Sequence, residues 1–344
     1  MIVQDFDFDS GLLERFLAWP RQHYAGDPNW LPNPGEAGLL AAGAHPGAVW
    51  RNFLILQGDS IRGRVTALAN PHLCDEHGRP YAQLGFFECV DDLPAARLLL
   101  DTAAAWLSAK VPQARTLLAP IDFDTWHAYR LRTTGFDQPT FLMEPYNPPY
   151  YPALFTALGF EPRLRYVTKT VDDLSALRTA WQPYHQKAIS QGYTFRSFNP
   201  AARESQLGLI YRLSLAAFHD NRLFAEISED EFRALYGGLA GSVDPELLFF
   251  VLDPSGEPAG ISFSVRDHAE PATVNFKTYG VLPRLHGSGV GAALACESYG
   301  RFQAKGFVRV NHCLMRAGNR ADAFDRGLAQ VTREYAIYQR SLHG

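Results

Sequence analysis

The sequence predicts an α/β chain with a mixed sheet, built from two similar halves. Two hairpins, at residues 53–65 and 249–262, share one pattern of apolar strand, glycine-containing turn and second strand. After each hairpin come a short apolar strand, a long helix rich in Ala and Leu, and a further strand. A strand, helix and strand of this length imply two parallel strands joined by a right-handed crossover. The repeated order predicts two tandem domains of one fold.

In the first half, β-rich runs and helical periodicity place the elements after the hairpin in a clear order. The strands are Ala82–Glu88 and Ala114–Ala119, and the helix between them is Pro94–Ala109. Alternating aromatic and polar residues then predict a closing strand at Leu164–Lys169. A strand ends and helical sequence begins between Thr170 and Leu177, which predicts domains of residues 1–172 and 173–344.

The second half has the same order, preceded by additional helical sequence. Ser228 and Glu231 form a plausible capping box at the start of one of its helices. The predicted elements are, in order, helix Ala176–Ser190, strand Tyr193–Phe198, helices Arg203–Phe218 and Ser228–Leu239, the second hairpin, strand Thr273–Val281, helix Val290–Lys305, strand Phe307–Met315 and strand Glu334–Gln339.

Composition excludes several classes of protein. Of the 344 residues, 47% are hydrophobic and 20% charged, which is ordinary for a folded globular chain and excludes disorder. The net charge of −4 disfavours nucleic acid and anionic lipid as partners. The four cysteines lie far apart and form no C-x-x-C pair, so we expect reduced thiols. Neither a signal peptide nor a long apolar stretch is evident, and we therefore expect a cytoplasmic protein that does not span a membrane.

The sharpest chemical signal is a glycine-rich segment between a strand and a helix, with Gly287, Gly289 and Gly291 in alternation. Glycine lets the backbone approach an anion closely, and the first N–H groups of a helix stabilise phosphate charge. A dinucleotide site would need an acidic residue at the end of the next strand, and this strand, Val308–His312, contains none. A Walker A loop would need Gly-Lys-Ser/Thr, and none of these glycines is followed by Lys. Polyphosphate binding is the prediction, and a plain tight turn is the alternative.

Arg284-x-x-Gly287-x-Gly289 resembles the acyl-CoA binding motif of the GCN5-related N-acetyltransferases, and the element order over roughly residues 190–340 is similar to that family's domain. The resemblance implies that backbone N–H groups hold the CoA pyrophosphate and that the fourth strand splays from the fifth to admit pantetheine. An Asn just past the fifth strand matches the family's Asn at the start of its last helix, where a simple N-cap is the alternative. The cofactor-binding residues implied are Val281, Arg284, Leu285, His286, Gly287, Ser288, Gly289, Val290, Gly291 and Asn319.

The first half also resembles this fold, but without the binding loop. Asp91 and Asp92 stand where the glycines would be, and carboxylates repel phosphate. Phe155 stands where the family's terminal signature has Tyr. The chain is thus identified as a tandem bacterial member of the family with a degenerate first half, which we expect to wall the acceptor pocket or to dock against the active half.

Catalytic residues are less evident from the sequence. The family's proton-donating Tyr, seven residues after the Asn, is replaced by Arg326. Tyr279 is the first candidate to replace it, Tyr299 and Tyr335 are others, and a thiolate that leaves without a donor is the alternative. His219 and Glu226 lie in the segment that borders the acceptor site in this fold, and they are candidate bases or else solvated loop residues.

Two further groups of side chains contain residue types that bind ligands. Lys277 could sense an acidic acceptor or point to solvent. His72, Cys74 and His77 fall within one hairpin loop with no fourth partner, so no metal is predicted.

The sequence therefore predicts an acyltransferase that moves an acetyl or other acyl group from acyl-CoA to the amine of a small molecule. A non-catalytic acyl-CoA sensing protein and an aminoacyl-tRNA-dependent transferase are the alternatives, and the net charge weighs against the second. Whether the chain forms a homodimer stays open.

Overall fold

The structure is a computed structural model that describes residues 1–7, 11–32, 47–240, 243–319 and 324–343. These residues form a mixed α/β fold around one large sheet, as predicted. No helix among the described residues has both the length and the apolar character needed to cross a bilayer.

In the part of the first half that the structure describes, three helices accompany seven strands. The strands are β1 (Ile2–Phe6), β2 (Val49–Gln57), β3 (Ser60–Ala69), β4 (Ala82–Cys89), β5 (Thr116–Ala119), β6 (Leu131–Arg132) and β7 (Glu161–Val171). The helices are α1 (Leu12–His23), α2 (Leu93–Lys110) and α3 (Tyr151–Ala157).

Among the described residues of the second half, four helices accompany six strands. The helices are α4 (Leu174–Ser190), α5 (Arg203–Phe218), α6 (Glu229–Ala240) and α7 (Val290–Ala304). The strands are β8 (Thr194–Ser197), β9 (Leu248–Leu252), β10 (Pro258–Arg266), β11 (Thr273–Val281), β12 (Arg309–Arg316) and β13 (Gln330–Ser341).

Most of these elements lie where the sequence predicts them. β11 and α5 have the predicted bounds, α2 is longer than predicted by one residue at each end, and α7 ends one residue earlier than predicted. The capping box is confirmed, because the backbone N–H of Glu231 donates to Ser228 Oγ at 3.2 Å and that of Ser228 to Glu231 Oε2 at 2.7 Å.

The two halves exchange their last strands. The sheet order is β1-β2-β3-β4-β5-β13-β7-β12-β11-β10-β9-β8, with β6 beside β13. Thus β7 of the first half pairs with β12, while β13 of the second half pairs with β5. The division at residue 172 stays a prediction, but the sheet runs without interruption across it.

Helices cover both faces of the second half and create two apolar layers. On one face, α4 and α7 pack together over β11 and β12 around Phe276 and Tyr299. On the other, α5 and α6 pack over β9 and β10 around Phe232 and Phe250. The site described next lies where β11 and β12 separate between these layers.

Candidate active site

Two parallel strands, β11 and β12, pair over only four residues and then diverge. Their register runs from Thr273 with Arg309 to Phe276 with His312. Beyond Phe276, β11 continues for five residues, to Val281, without pairing to β12. Backbone groups along such an edge need other partners, which an amide-bearing ligand can supply.

Irregularities in both strands coincide with this divergence. In the pairing of β11 with β10, Phe276 lies opposite Ser264 and Thr278 lies opposite Phe263. Lys277 between them has no opposite residue and is the extra residue of a β-bulge. β12 has its own irregularity between His312 and Met315, where Leu314 has φ +59°. Because both strands leave regular pairing at the same level, the gap is a feature of the fold.

The glycine-rich loop follows β11 directly. Pro283–Leu285 forms one 3-10 turn, and then Gly287 (φ +80°) and Gly289 (φ +92°) adopt left-handed conformations that favour glycine. Ser288 Oγ accepts from the N–H of Val290 at 3.2 Å and donates to the Leu285 carbonyl at 2.7 Å. The next N–H groups of the first turn of α7 have no acceptor within the helix. This geometry matches an anion site at a helix N-terminus.

Gly291 and Tyr279 join the loop to the strand gap. A Cβ at position 291 would lie 2.8 Å from Tyr279 Oη, so any other residue there would require this tyrosine to shift. The Tyr279 hydroxyl donates to the Gly291 carbonyl, and burial raises its pKa well above the ordinary value. The hydroxyl proton is therefore already engaged in a hydrogen bond within the protein. That Tyr279 donates a proton to the leaving CoA thiolate stays a prediction.

The other predicted loop residues have two kinds of environment. Val281, Leu285 and Val290 are buried and fasten the loop to the core under α7. Arg284 is exposed and donates to Asp253 at 2.8 Å. Hydrogen bonds from Ser255 and Arg284 lower the pKa of Asp253 to about 2.

Asn319 lies at the end of the gap, whereas the two candidate bases lie outside it. Asn319 lines the cavity described below. His219 is exposed beside Asp220, and Glu226 is exposed as well. Neither His219 nor Glu226 lines the cavity, so the structure does not bring them to the gap. Their roles stay predictions.

A cavity of about 430 Å³ opens at the gap and is lined by both halves of the chain. Its apolar wall comes mainly from α5, α6 and the sheet, and includes Leu207, Ile210, Phe218, Phe232, Leu239, Ile261 and Phe263. The first half contributes further lining residues, including Trp126, Tyr129 and Tyr166, and the Trp126 ring packs against Phe232. The Trp126 indole donates to the Ala225 carbonyl at 2.8 Å and ties this part of the lining to the α5–α6 connection.

The charged residues that line the cavity all have one sign. They are Arg130, Arg222, Lys277 and Arg316, and no described lining residue is Asp or Glu. In a chain whose net charge is −4, this is a local concentration of positive charge.

Lys277 stands at the bulge, with its ammonium group turned to the first half. Its Nζ lies 3.3 Å from the Met143 carbonyl and 4.7 Å from the centroid of the Phe141 ring. Burial, supported by the charge of Arg130, lowers the pKa of Lys277 to about 8. A substantial fraction of the amine is therefore neutral near physiological pH.

His312 lies at the point where the strands part. Its Nε2 shares a hydrogen bond with the Tyr299 hydroxyl at 3.1 Å, and its Nδ1 has no partner among the described residues. The side chain is buried, which lowers its pKa to about 4. The imidazole is therefore neutral at pH 7 and a weak base.

The equivalent gap in the first half is filled by the protein itself. β4 and β5 pair only at Ala82 and Gln83, and further along β4 the N–H of Cys89 donates to the Tyr151 hydroxyl at 2.7 Å. The Tyr150 hydroxyl donates to the Cys89 carbonyl at 2.8 Å. The carboxylate of Asp92 caps α2 by accepting from the N–H of Ala95 at 3.1 Å. No phosphate is expected there.

Sequence reasoning missed the residues that the first half contributes to the cavity. Arg130, Tyr129 and Trp126 belong to a connection with no motif, and they lie about 150 residues before Lys277 in the chain. No local pattern could have linked them to β11. The bulge at Lys277 had no signal either, because β11 reads as a regular strand.

The chain is similar in sequence to two known proteins. No family model matches the chain. Protein YghO of Escherichia coli K12 is 24% identical over 248 residues, which are 69% of this chain and 61% of that protein. The bacterial ceramide synthase of Caulobacter vibrioides is 23% identical over 256 residues, 72% of this chain and 66% of that protein. The matches thus span less than two thirds of either relative.

Solved structures are similar over nearly the whole chain. A tandem GNAT protein from the clavulanic acid biosynthesis pathway is 13% identical with a TM-score of 0.56, covering 99% of both chains. A probable N-acyltransferase from Enterococcus faecalis V583 is 12% identical with a TM-score of 0.58, covering 99% of this chain and 73% of that one. Both likenesses concern the fold.

Proposed function

On the premise that the chain has the tandem fold of the GCN5-related N-acetyltransferases, we propose that it is an acyltransferase that moves an acyl group from acyl-CoA to an amine. The observation that carries the proposal is that the glycine-rich loop and the strand gap adjoin, with Tyr279 between them. The Tyr279 ring lies 5.6 Å from that of Phe276 at the start of the gap, and its hydroxyl contacts Gly291 in the loop.

The loop and the gap would hold successive parts of acyl-CoA. The N–H groups of Gly287, Gly289, Gly291 and Ala292 suit the pyrophosphate, because they lie along the loop and the first turn of α7, whereas those of Ser288 and Val290 already donate within the loop. The unpaired edge of β11 suits the amides of pantetheine. The thioester then reaches the bulge at Lys277, where a strand N–H outside the regular ladder would stabilise the oxyanion.

The cavity residues supply the proton chemistry. The acceptor nitrogen attacks the thioester carbon, a C–N bond forms, and the C–S bond breaks with its electron pair on sulfur. The neutral amine of Lys277 accepts the proton that the acceptor loses, since its pKa of about 8 lies near the working pH. Because Arg326 replaces the family's tyrosine, the thiolate leaves without a dedicated proton donor.

The apolar wall supports a long hydrocarbon chain on one of the two substrates. Leu207, Ile210, Phe232 and Phe263 leave this part of the cavity without charge. One sequence relative is named a bacterial ceramide synthase, and a ceramide is an amide with long hydrocarbon chains. We therefore extend the proposal to acyl groups longer than acetyl.

The test is an assay of CoA release from acetyl-CoA and longer acyl-CoA species in the presence of a panel of amines. Mass spectrometry of the products identifies the amide. We expect amide formation and CoA release together, and a decrease of roughly 10²-fold in kcat/KM for Lys277→Met. Tight acyl-CoA binding with no amide from any acceptor would contradict the proposal and indicate a sensing protein.

A further inference from the structure

We infer that the acceptor carries an acidic group, a carboxylate or a phosphate, in addition to its amine, and that Arg130 of the first half binds this group. The inference rests on the proposed function in one respect, namely that the cavity is the acceptor site. It assigns to the first half a direct part in substrate recognition.

Arg130 is a charged residue with little contact with water. Only 9% of it is exposed, and its guanidinium carbon lies 3.8 Å from the ring centroid of Tyr129 and 4.2 Å from that of Tyr166. One of its terminal nitrogens donates to the Leu314 carbonyl at 3.2 Å. Its Nε is buried and has no hydrogen-bond partner among the described residues. The side chain is thus held in place with donor capacity unused.

A guanidinium in this environment normally has an anionic partner. Removing a charge from water is costly, and buried charges in proteins are paired with opposite charges or bind metal ions. Two aromatic faces and one carbonyl offset part of that cost. Arg130 forms no ion pair with any carboxylate that the structure describes, although this cation cannot become neutral. An anionic group on a ligand would complete the set of contacts.

Two buried carboxylates of the first half, Glu144 and Asp124, are engaged by other residues. Glu144 accepts from the guanidinium of Arg333 at 3.3 Å and from the Tyr335 hydroxyl. Asp124 accepts from the backbone N–H of Trp126 at 2.8 Å and lies 2.7 Å from His127 Nδ1. Neither carboxylate lines the cavity. The protein's own acids therefore leave the cationic face of the cavity to a ligand.

The other cations of the cavity extend this face. Arg316 lines the same cavity, and both Arg130 and Arg316 lower the pKa of Tyr166 by their charge, although burial raises it overall. Lys277 lines it beside the gap. A purely cationic amine would be repelled by this face, whereas a molecule with both an amine and an acidic group would bring its anion to Arg130 and its nitrogen towards Lys277. Its apolar part would lie against α5 and α6.

The experiment measures binding of three probes with the same hydrocarbon chain to the whole protein by isothermal titration calorimetry. The probes are octanoate, octyl phosphate and 1-octanol, and no CoA is present. We expect at least one anionic probe to bind about tenfold or more tightly than octanol, since a charge-assisted contact is being measured. The stronger of the two anions identifies the acidic group as carboxylate or phosphate.

Variants then assign the selectivity to Arg130. Arg130→Gln should remove the preference for the anion, Arg130→Lys should keep part of it, and Arg21→Gln, which removes an exposed charge on α1, should leave it unchanged. Equal affinity of the wild-type protein for octanol and both anions would overturn the inference, whether or not the variants fold. An unchanged preference in folded Arg130→Gln would overturn it too.

Failure of this inference and failure of the proposed function give different results. If acyl-CoA does not bind, the proposed function fails while the anion selectivity can still be measured. If amides form equally well from phenylalanine and from phenethylamine, which lacks the carboxylate, the proposed function holds and the acidic acceptor is excluded.

Discussion

Phe276 on β11 and His312 on β12 are the last residues that these two parallel strands pair. The rings of the two residues lie 5.9 Å apart, and the strands separate immediately beyond them. The bulge at Lys277 and the irregularity after His312 show that the backbones of both strands depart from regular pairing at this level. The separation places an unpaired strand edge next to a helix N-terminus rich in glycine, which is the arrangement on which the proposed function depends.

The ionisation of Lys277 gives a prediction about pH. Its pKa is lowered from 10.5 to about 8, so the folded protein loses this proton before the unfolded chain does. Between these pH values the unfolded state binds more protons, and this residue's contribution makes the free energy of unfolding rise with pH. NMR of side-chain-labelled lysine should show one of the five lysine signals titrating near pH 8.

Lys277→Met is the matched variant for that experiment. It should remove the signal that titrates near pH 8 and the accompanying rise in the free energy of unfolding. An aromatic amine is already neutral at pH 7, so with this acceptor a rise of the wild-type kcat/KM towards pH 8 reports the deprotonation of Lys277 and not that of the acceptor. The rise should be absent in Lys277→Met. Titration of all five lysines near 10.5 would rule out Lys277 as the base.

The filled gap of the first half gives a prediction about stability. Tyr151→Phe deletes a hydroxyl that donates to Glu88 at 2.8 Å and accepts from the N–H of Cys89 at 2.7 Å. Because the buried N–H of Cys89 would lose this acceptor, while Glu88 keeps its hydrogen bond from the Tyr24 hydroxyl, we expect a loss of about 1–3 kcal/mol in the free energy of unfolding. Urea denaturation measures this loss.

Tyr184→Phe is the control for that measurement, because its side chain is 44% exposed and its hydroxyl has no partner among the described residues. It should change the free energy of unfolding by less than about 0.5 kcal/mol. The affinity of Tyr151→Phe for CoA should match that of the wild type. A weaker affinity would mean that the first half also binds the cofactor.

The sequence predicted the elements well because their signals are local. The Ala- and Leu-rich run that forms α2, the capping box at Ser228 and the glycine-rich segment before α7 each depend on neighbouring residues. The exchange of β7 and β13 could not be predicted in this way. Alternation of polar and apolar residues indicates which faces of a strand are buried, but not which strand lies beside it.

The cavity was the least predictable part of the site for the same reason. Arg130 meets Leu314 across 184 positions of the chain, through a connection that has no helical or strand periodicity. His219 and Glu226, in contrast, lie in the expected segment, yet their side chains are exposed. The topology determines which half supplies the wall of the cavity, and that topology depends on the strand exchange.

The central claim, that the glycine-rich loop binds the pyrophosphate of CoA, is tested most directly by titrating CoA into the wild-type protein and two glycine variants. Gly287 (φ +80°) and Gly256 (φ +86°) both have a left-handed conformation and no heavy atom within 4 Å of an added Cβ. An Asp therefore imposes similar backbone strain at each position, but only at 287 does it place a carboxylate at the phosphate site. We predict that wild type and Gly256→Asp bind CoA equally and that Gly287→Asp binds at least about tenfold more weakly. Equal affinity of all three proteins, or no binding to wild type, would contradict the claim.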